Sequence, residues 1–243
     1  VAGAIALGGP GAIFWMWICA LLGMITKFAE ATLAIRYRVK NANGEYVGGT
    51  MHMIQQGLSA KLRFLSVFYC FFAVVASFGV GNVTQINAVI GGLNSIITSF
   101  GGKESKLFDL SAGVALSILI TSILLGGAKR IGQIAERIVP VASVAYIFLC
   151  IIVLVICRHA IPQALSMIVG GAFRPAAVTG GMLGSAFIAL RVGASRGVFT
   201  NEAGMGTASI AHAAANVQNP VQQGLMGIME VFLDTILICT MTA

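Results

Sequence analysis

The stretch Gly193-Ala-Ser-Arg-Gly-Val-Phe-Thr-Asn-Glu-Ala-Gly-Met-Gly206 decides how the chain is read. Arg196, Asn201 and Glu202 stand there in a run of small residues, between the apolar segments Met182 to Leu190 and Ala208 to Ala215. Hydropathy therefore places polar and charged groups at membrane depth, where a charge is costly unless it is paired or hydrated. Irregular backbone is tolerated in a bilayer only where it is buried in protein or lines a polar cavity. A discontinuous helix meets both conditions. One half presents free amides at its N-terminus to an anion, and the other presents carbonyls at its C-terminus to a cation.

The composition supports the membrane setting. Of 243 residues, 58% are hydrophobic and 9% charged, against roughly 25% charged in soluble domains, and the mean hydropathy is +0.93. So little charge cannot cover a soluble globule, which argues against a soluble enzyme. The net charge of +7 comes without long basic runs, so it reads as membrane topology and not as a nucleic-acid surface. Cys19, Cys70, Cys150, Cys157 and Cys239 lie in apolar stretches without C-x-x-C spacing and are expected to be small buried hydrophobes. His52, His159 and His212 lack metal-ligand spacing and read as structural or surface residues. Phosphate-loop and H-E-x-x-H patterns are absent, so no cofactor is expected. The Ala-rich start at Val1 and the 13-residue apolar run Val231 to Ala243, short of the roughly 20 residues that span a bilayer, suggest a fragment cut at both ends.

Outward from the central stretch, spans are expected at Ile13 to Tyr37, with Phe14, Trp15 and Trp17 at its start and Arg36, Arg38 and Lys40 at its exit; at Phe64 to Phe100, with a glycine interruption; at Leu107 to Leu125; and at Ile138 to Cys157, with Pro140 near its start. Gly180 to Ala215 is broken, Val221 to Ala243 is a truncated span, and Val1 to Leu7 is the second half of an earlier helix. If the Arg36 to Arg63 loop is cytoplasmic, that side collects Arg36, Arg38, Lys40, Lys61, Arg63, Lys129, Arg130 and Arg137. The other side holds Lys103, Lys106, Arg158 and Arg174. Eight basic residues against four favour this orientation. Within that loop Asn41 to Gly44 reads as a turn and Thr50 to Leu58 as an interfacial helix. The glycine clusters at 8–11, 79–81 and 180–181 fit close helix packing as well as breaks.

Further polar residues within spans are Glu30, expected to pair with Lys27 at the interface; Thr84, Gln85 and Asn87, of which Asn87 suits an interhelical hydrogen bond; and Asp234 with Thr235. A carboxylate inside a span is a functional hypothesis by default. Gly193-Ala-Ser195-Arg-Gly197 also matches the G-x-S-x-G pattern of serine hydrolases, but no strand precedes it and the downstream order is Ser195, His212, Asp234. A channel with re-entrant loops is the other alternative.

Five strings carry a resemblance that runs in order along nearly the whole chain: Gly8-Gly-Pro-Gly-Ala-Ile-Phe-Trp-Met-Trp17, Lys27-Phe-Ala-Glu-Ala-Thr-Leu-Ala34, Gly126-Gly-Ala-Lys-Arg-Ile131, Arg196-Gly-Val-Phe-Thr-Asn-Glu-Ala-Gly204 and Asp234-Thr-Ile-Leu-Ile-Cys-Thr-Met-Thr242. The chain resembles the sodium:alanine (alanine/glycine) symporter family. The resemblance implies an all-α membrane protein, part of a leucine-transporter-type inverted-repeat bundle with discontinuous helices. Residues 1–157 would be most of the first repeat and 158–243 the start of the second, within one transmembrane domain. It implies a multi-pass protein of the cell membrane that uses Na+ as coupling ion to import small neutral amino acids such as alanine and glycine, without enzymatic activity. Phe199 to Gly206 would be the sixth-helix break, with Thr200 where serine is commoner. Substrate contacts would fall on Gln85, Phe199, Thr200, Asn201, Gly204 and Gly206. Glu30, Glu202, Asp234 and Thr235 would bind the ion or brace the break, since Na+ prefers hard oxygen ligands.

Overall fold

The computed structural model describes residues 1–173 and 182–243; Arg174 and the Gly180-Gly181 pair lie outside the described residues. The regular elements are helices α1 (Ala2–Gly8) and α2 (Gly11–Arg36), strands β1 (Val39–Lys40) and β2 (Tyr46–Val47), then helices α3 (Thr50–Gly57), α4 (Leu65–Ala76), α5 (Asn82–Ser99), α6 (Lys106–Leu124), α7 (Gly127–Ile156), α8 (Ile161–Phe173), α9 (Met182–Asn201), α10 (Ala208–Ala213), α11 (Pro220–Val231) and α12 (Cys239–Thr242). Wider π-helical turns join α4 to α5 at Ser77–Gly81 and α11 to α12 at Phe232–Ile238. Five helical stretches among the described residues are long and apolar enough to cross a bilayer: Gly11–Arg36, Ala60–Gly79, Lys106–Leu124, Arg130–Ile156 and Pro220–Thr242. The chain is an all-α, multi-pass membrane protein.

Packing divides it into two units, Val1–Gly57 with Val139–Ala243, and Leu58–Ile138. At the centre of the first unit lies α2. Its buried positions Met16, Ala20, Gly23, Lys27, Ala31 and Ala34 recur every three or four residues, which is one stripe of a helix. Mostly small side chains along that stripe let α9 and α11 approach closely on it. A Cβ on Gly224 of α11 would collide with the Thr32 hydroxyl of α2. At the start of α2, Phe14 meets Phe173 of α8 edge-on at 4.9 Å between ring centroids, and the Trp17 indole donates to Thr240 Oγ1 at 2.7 Å. Beyond α2, β1 and β2 pair antiparallel with Val39 opposite Val47. Asn41 forms the expected turn, its Oδ1 accepting from the amides of Asn43 and Glu45.

In the second unit the π turn falls at Gly79 and Gly81, so the expected glycine interruption is a local widening of a continuous helix. Asn94 Nδ2 donates to Asp109 Oδ1 at 2.8 Å and ties α5 to α6. Asn87, expected in an interhelical hydrogen bond, is exposed.

Three expectations need correction. Helix α7 begins at Gly127, so Pro140 sits well inside it and not near its start. The apolar Ile138 to Cys157 run was extended backwards through Lys129 and Arg130, whose charge masks helix in a hydropathy reading. The last span is longer than the apolar run Val231 to Ala243 suggests, because the helical stretch runs 23 residues from Pro220 to Thr242. Glu230 had lowered the apparent hydropathy of its first half. Of the five cysteines only Cys239 is buried, and Cys157 is exposed.

Candidate functional site

Helix α9 continues unbroken through Ser195, Arg196 and Gly197 to Asn201. The break is therefore Glu202 to Thr207, shorter than the glycine-rich stretch suggests. Gly204 and Gly206 both take φ 82, and Glu202 takes φ 51. Glycine adopts that backbone freely, whereas glutamate there is strained and must be held from outside. The holding groups can be named. Asn201 is buried, 3% exposed, and its Oδ1 accepts from the Ala203 amide at 3.0 Å, turning the chain at the end of α9. Thr207 Oγ1 donates to Glu202 Oε2 at 3.1 Å, so the exposed Glu202 side chain braces the break across its own length. From α2, Glu30 Oε2 accepts from the Gly204 amide at 3.2 Å.

Lys27, one turn earlier on α2, is wholly buried. Its ammonium donates to the Asn201 carbonyl at 3.1 Å and to Glu230 Oε1 at 3.0 Å. The expected Lys27–Glu30 pair is thus replaced: Lys27 turns to the carbonyl end of α9 and to α11, and Glu30 turns to an amide of the break. Glu230 also faces His212, Nε2 to Oε2 at 3.3 Å, and His212 Nδ1 meets Gln223 Nε2 at 2.7 Å. His212 has a structural place in this chain of polar contacts. Lys27 and Glu230 were missed as centres of the site. Their signal was present, since each is a charged residue inside an apolar span.

Also at the α9 terminus, Asp234 Oδ2 accepts from Thr200 Oγ1 at 3.1 Å and from Thr235 Oγ1 at 3.0 Å. Asp234 and Thr235 belong to the π segment Phe232–Ile238, and Thr235 is fully buried. Here one carboxylate and two hydroxyls, all hard oxygen donors, converge from α9 and the last span. That donor set suits an alkali or alkaline-earth cation better than a transition metal. Among the described residues, no group of three or more His, Cys, Asp and Glu side chains is placed to hold a metal ion.

The expected site residues of the first unit therefore gather around the break: Glu30, Thr200, Asn201, Glu202, Gly204, Asp234 and Thr235 are linked by the contacts above, and half-buried Phe199 and Gly206 flank them. Gln85 lies on α5 of the second unit with its side chain exposed. The serine-hydrolase alternative is not assembled. Ser195 is exposed on a continuous helix, His212 engages Gln223 and Glu230, and Asp234 engages Thr200 and Thr235.

The model of the sodium:alanine symporter family matches residues 1–243. The chain is 42% identical over its whole length to the sodium/alanine symporter AgcS of Methanococcus maripaludis, covering 51% of that protein. It is 41% identical, again over its whole length, to an uncharacterised transporter of Haemophilus influenzae, of which it covers 51%, and to the probable sodium/glutamine symporter GlnT of Bacillus subtilis, of which it covers 48%. The chain spans about half the length of these curated relatives.

Proposed function

The chain belongs to the sodium:alanine symporter family, and we propose that it forms part of a symporter of the cell membrane that carries small neutral amino acids inward with Na+ as the coupling ion. The observation that carries the reading is the convergence of Asp234, Thr200 and Thr235 beside a broken helix whose turn is held by Glu30 and Asn201. Na+ would be held by the Asp234 carboxylate and the two hydroxyls. The amino acid's carboxylate would meet backbone amides of the break at Gly204 and Gly206, and its ammonium would meet carbonyl and side-chain oxygens between Phe199 and Gly204. Transport would proceed by alternating access in a leucine-transporter-type bundle, with residues 1–157 in the first inverted repeat and 158–243 in the second.

One relative is named for alanine and another for glutamine. Those substrates share the zwitterion and differ in the side chain, and the proposed contacts address the shared part. Alanine or glycine as substrate would follow if Phe199 narrows the pocket.

The test is uptake of alanine into proteoliposomes by the full-length transporter carrying this sequence, driven by a Na+ gradient. Asp234→Asn should raise the half-saturating Na+ concentration by at least about tenfold, the equivalent of 1.4 kcal/mol. Unchanged Na+ dependence would remove Asp234 from the ion site, and uptake indifferent to Na+ would remove the symport reading.

A further inference from the structure

The half-helix beyond the break, α10, is gripped along its whole length by the segment that follows α2. At its beginning, Thr50 Oγ1 lies 3.1 Å from Ser209 Oγ and donates to the Gly206 carbonyl at 3.3 Å. Along its side the backbone of Gly48 and Gly49 is moulded to it: a Cβ at Gly48 would come within 2.6 Å of the Ala213 methyl, and one at Gly49 within 2.7 Å of Ile210 Cγ1. At its end, Arg38 Nη1 donates to the carbonyls of Ala213 at 3.3 Å and Ala215 at 2.7 Å, and Nη2 to that of Val217 at 2.5 Å. Ala213 ends the helix, where carbonyls lack intrahelical partners; Ala215, whose carbonyl also accepts from the Val217 amide at 2.9 Å, and Val217 lie just beyond it. The guanidinium is further fixed with its Cζ 3.7 Å over the Tyr46 ring of β2. Arg38 thus has the planar face against an aromatic ring and the forked donors against three carbonyls, a combination lysine cannot reproduce.

On the N-terminal side α10 is joined to α9 only through Glu202 to Thr207, where three residues hold positive φ. Six residues of helix gripped at both ends, beyond a turn built of glycine, make a lever with a hinge; α10 also packs on α2, and its His212 meets Glu230 and Gln223 of α11, contacts that motion about the hinge must exchange.

Resting on the reading of this site as a transport site, we infer that the segment from Arg38 to Thr50 is a rigid handle on α10, that the two move as one body about the Glu202–Thr207 hinge, and that Arg38 is a positioning residue acting through α10 on the transport cycle. Arg38 touches no ligand in this scheme. It sets how fast the hinge works and not how tightly the site binds.

Two measurements on the full-length transporter test this. The first joins handle to lever through a Thr50→Cys, Ser209→Cys pair, oxidised with copper phenanthroline, with each single variant treated identically to control for the native cysteines. The hydroxyls they replace are 3.1 Å apart, within a small adjustment of disulfide reach. The cross-linked protein should keep at least about half of its Na+-driven alanine uptake, because a bond inside one moving body leaves the hinge free. Uptake that falls below about a tenth and recovers with dithiothreitol would show that α10 must move against the handle and would overturn the inference. Failure to form the bond would overturn the contact on which it rests.

The second separates rate from binding. Arg38→Gln should lower the maximal uptake rate at least about tenfold while alanine binding at saturating Na+ stays within about twofold, and Arg38→Lys should recover only a minor part of the rate. Equal losses of rate and binding, an unchanged rate, or full rescue by lysine would each refute it. Absence of Na+-driven uptake in the unmodified transporter fails the symport reading itself, which is a distinct outcome.

Discussion

Replacing Lys27 and Glu230 in turn should cost unequal amounts of stability, and the inequality follows from their burial. Breaking a fully buried ion pair by removing one partner costs about 3–5 kcal/mol, because the other charge is stranded. Here the Lys27 side chain is 0% exposed and that of Glu230 is 52%. In Lys27→Met the remaining carboxylate keeps His212 at 3.3 Å and its exposed side, so it is not stranded. The main loss is then the partner of the Asn201 carbonyl, about 1–3 kcal/mol for a buried acceptor left unsatisfied. In Glu230→Gln the ammonium stays sealed in the stripe of α2 without its ion-pair partner, and the cost moves toward the full 3–5 kcal/mol. The double variant Lys27→Met, Glu230→Gln should cost less than the sum of the two by 1–3 kcal/mol or about that, since neither charge remains to be stranded. Reversible unfolding of the purified full-length protein in mixed micelles, read through the fluorescence of Trp15 and Trp17 on the same helix, measures all three. A larger loss in Lys27→Met than in Glu230→Gln, or strict additivity in the double variant, would refute the reasoning.

Other predictions follow from the same contacts. Thr200→Val removes a hydroxyl from a carboxylate and should raise the half-saturating Na+ concentration about tenfold, whereas Thr200→Ser should stay within about twofold, measured in the same uptake assay. Gly206→Ala forces a side chain onto φ 82 and should lower stability by about 1–2 kcal/mol in the unfolding assay. Glu202→Gly relieves strain at φ 51 but gives up the bond to Thr207, so stability should change by less than about 1 kcal/mol; preserved uptake identifies Glu202 as a brace, and lost uptake makes it a ligand.

The broad architecture was legible in the sequence because its signals are local. Long apolar runs mark the spans, and Asn41 to Gly44 marks a turn. The extent of the break was not legible. Gly193 and Gly197 look like part of it, yet both stay helical, because they are where α9 lies against α2: a Cβ at Gly193 would strike the Ala12 carbonyl and one at Gly197 would meet Cys19. A glycine needed for close packing and a glycine needed for positive φ are the same letter, and only the neighbour across the interface tells them apart. Pairing was also hidden. Lys27 and Glu30 are three residues apart and on adjacent faces, so a local reading joins them, but the partners that satisfy each come from α9, α11 and the break, some 170 to 200 residues away in sequence.

That long-range pairing changes what the break offers a ligand. A half-helix C-terminus draws a cation because its last carbonyls lack partners. At α9 the Asn201 carbonyl already receives the Lys27 ammonium at 3.1 Å, and the Asn201 Oδ1 already receives the Ala203 amide. The protein supplies its own cation at the position where a cation from outside would first be sought. The hard oxygens that remain next to the terminus are those of Asp234, Thr200 and Thr235, none of which accepts a hydrogen bond from Lys27. On the proposed reading the coupling ion would be steered away from the Asn201 carbonyl and toward the π segment, and Lys27→Met should open the carbonyl to it. A rise in the Hill coefficient for Na+ in Lys27→Met, with alanine uptake retained, would mark that second position; an unchanged coefficient together with unchanged Na+ affinity would show that Lys27 does not compete with the ion.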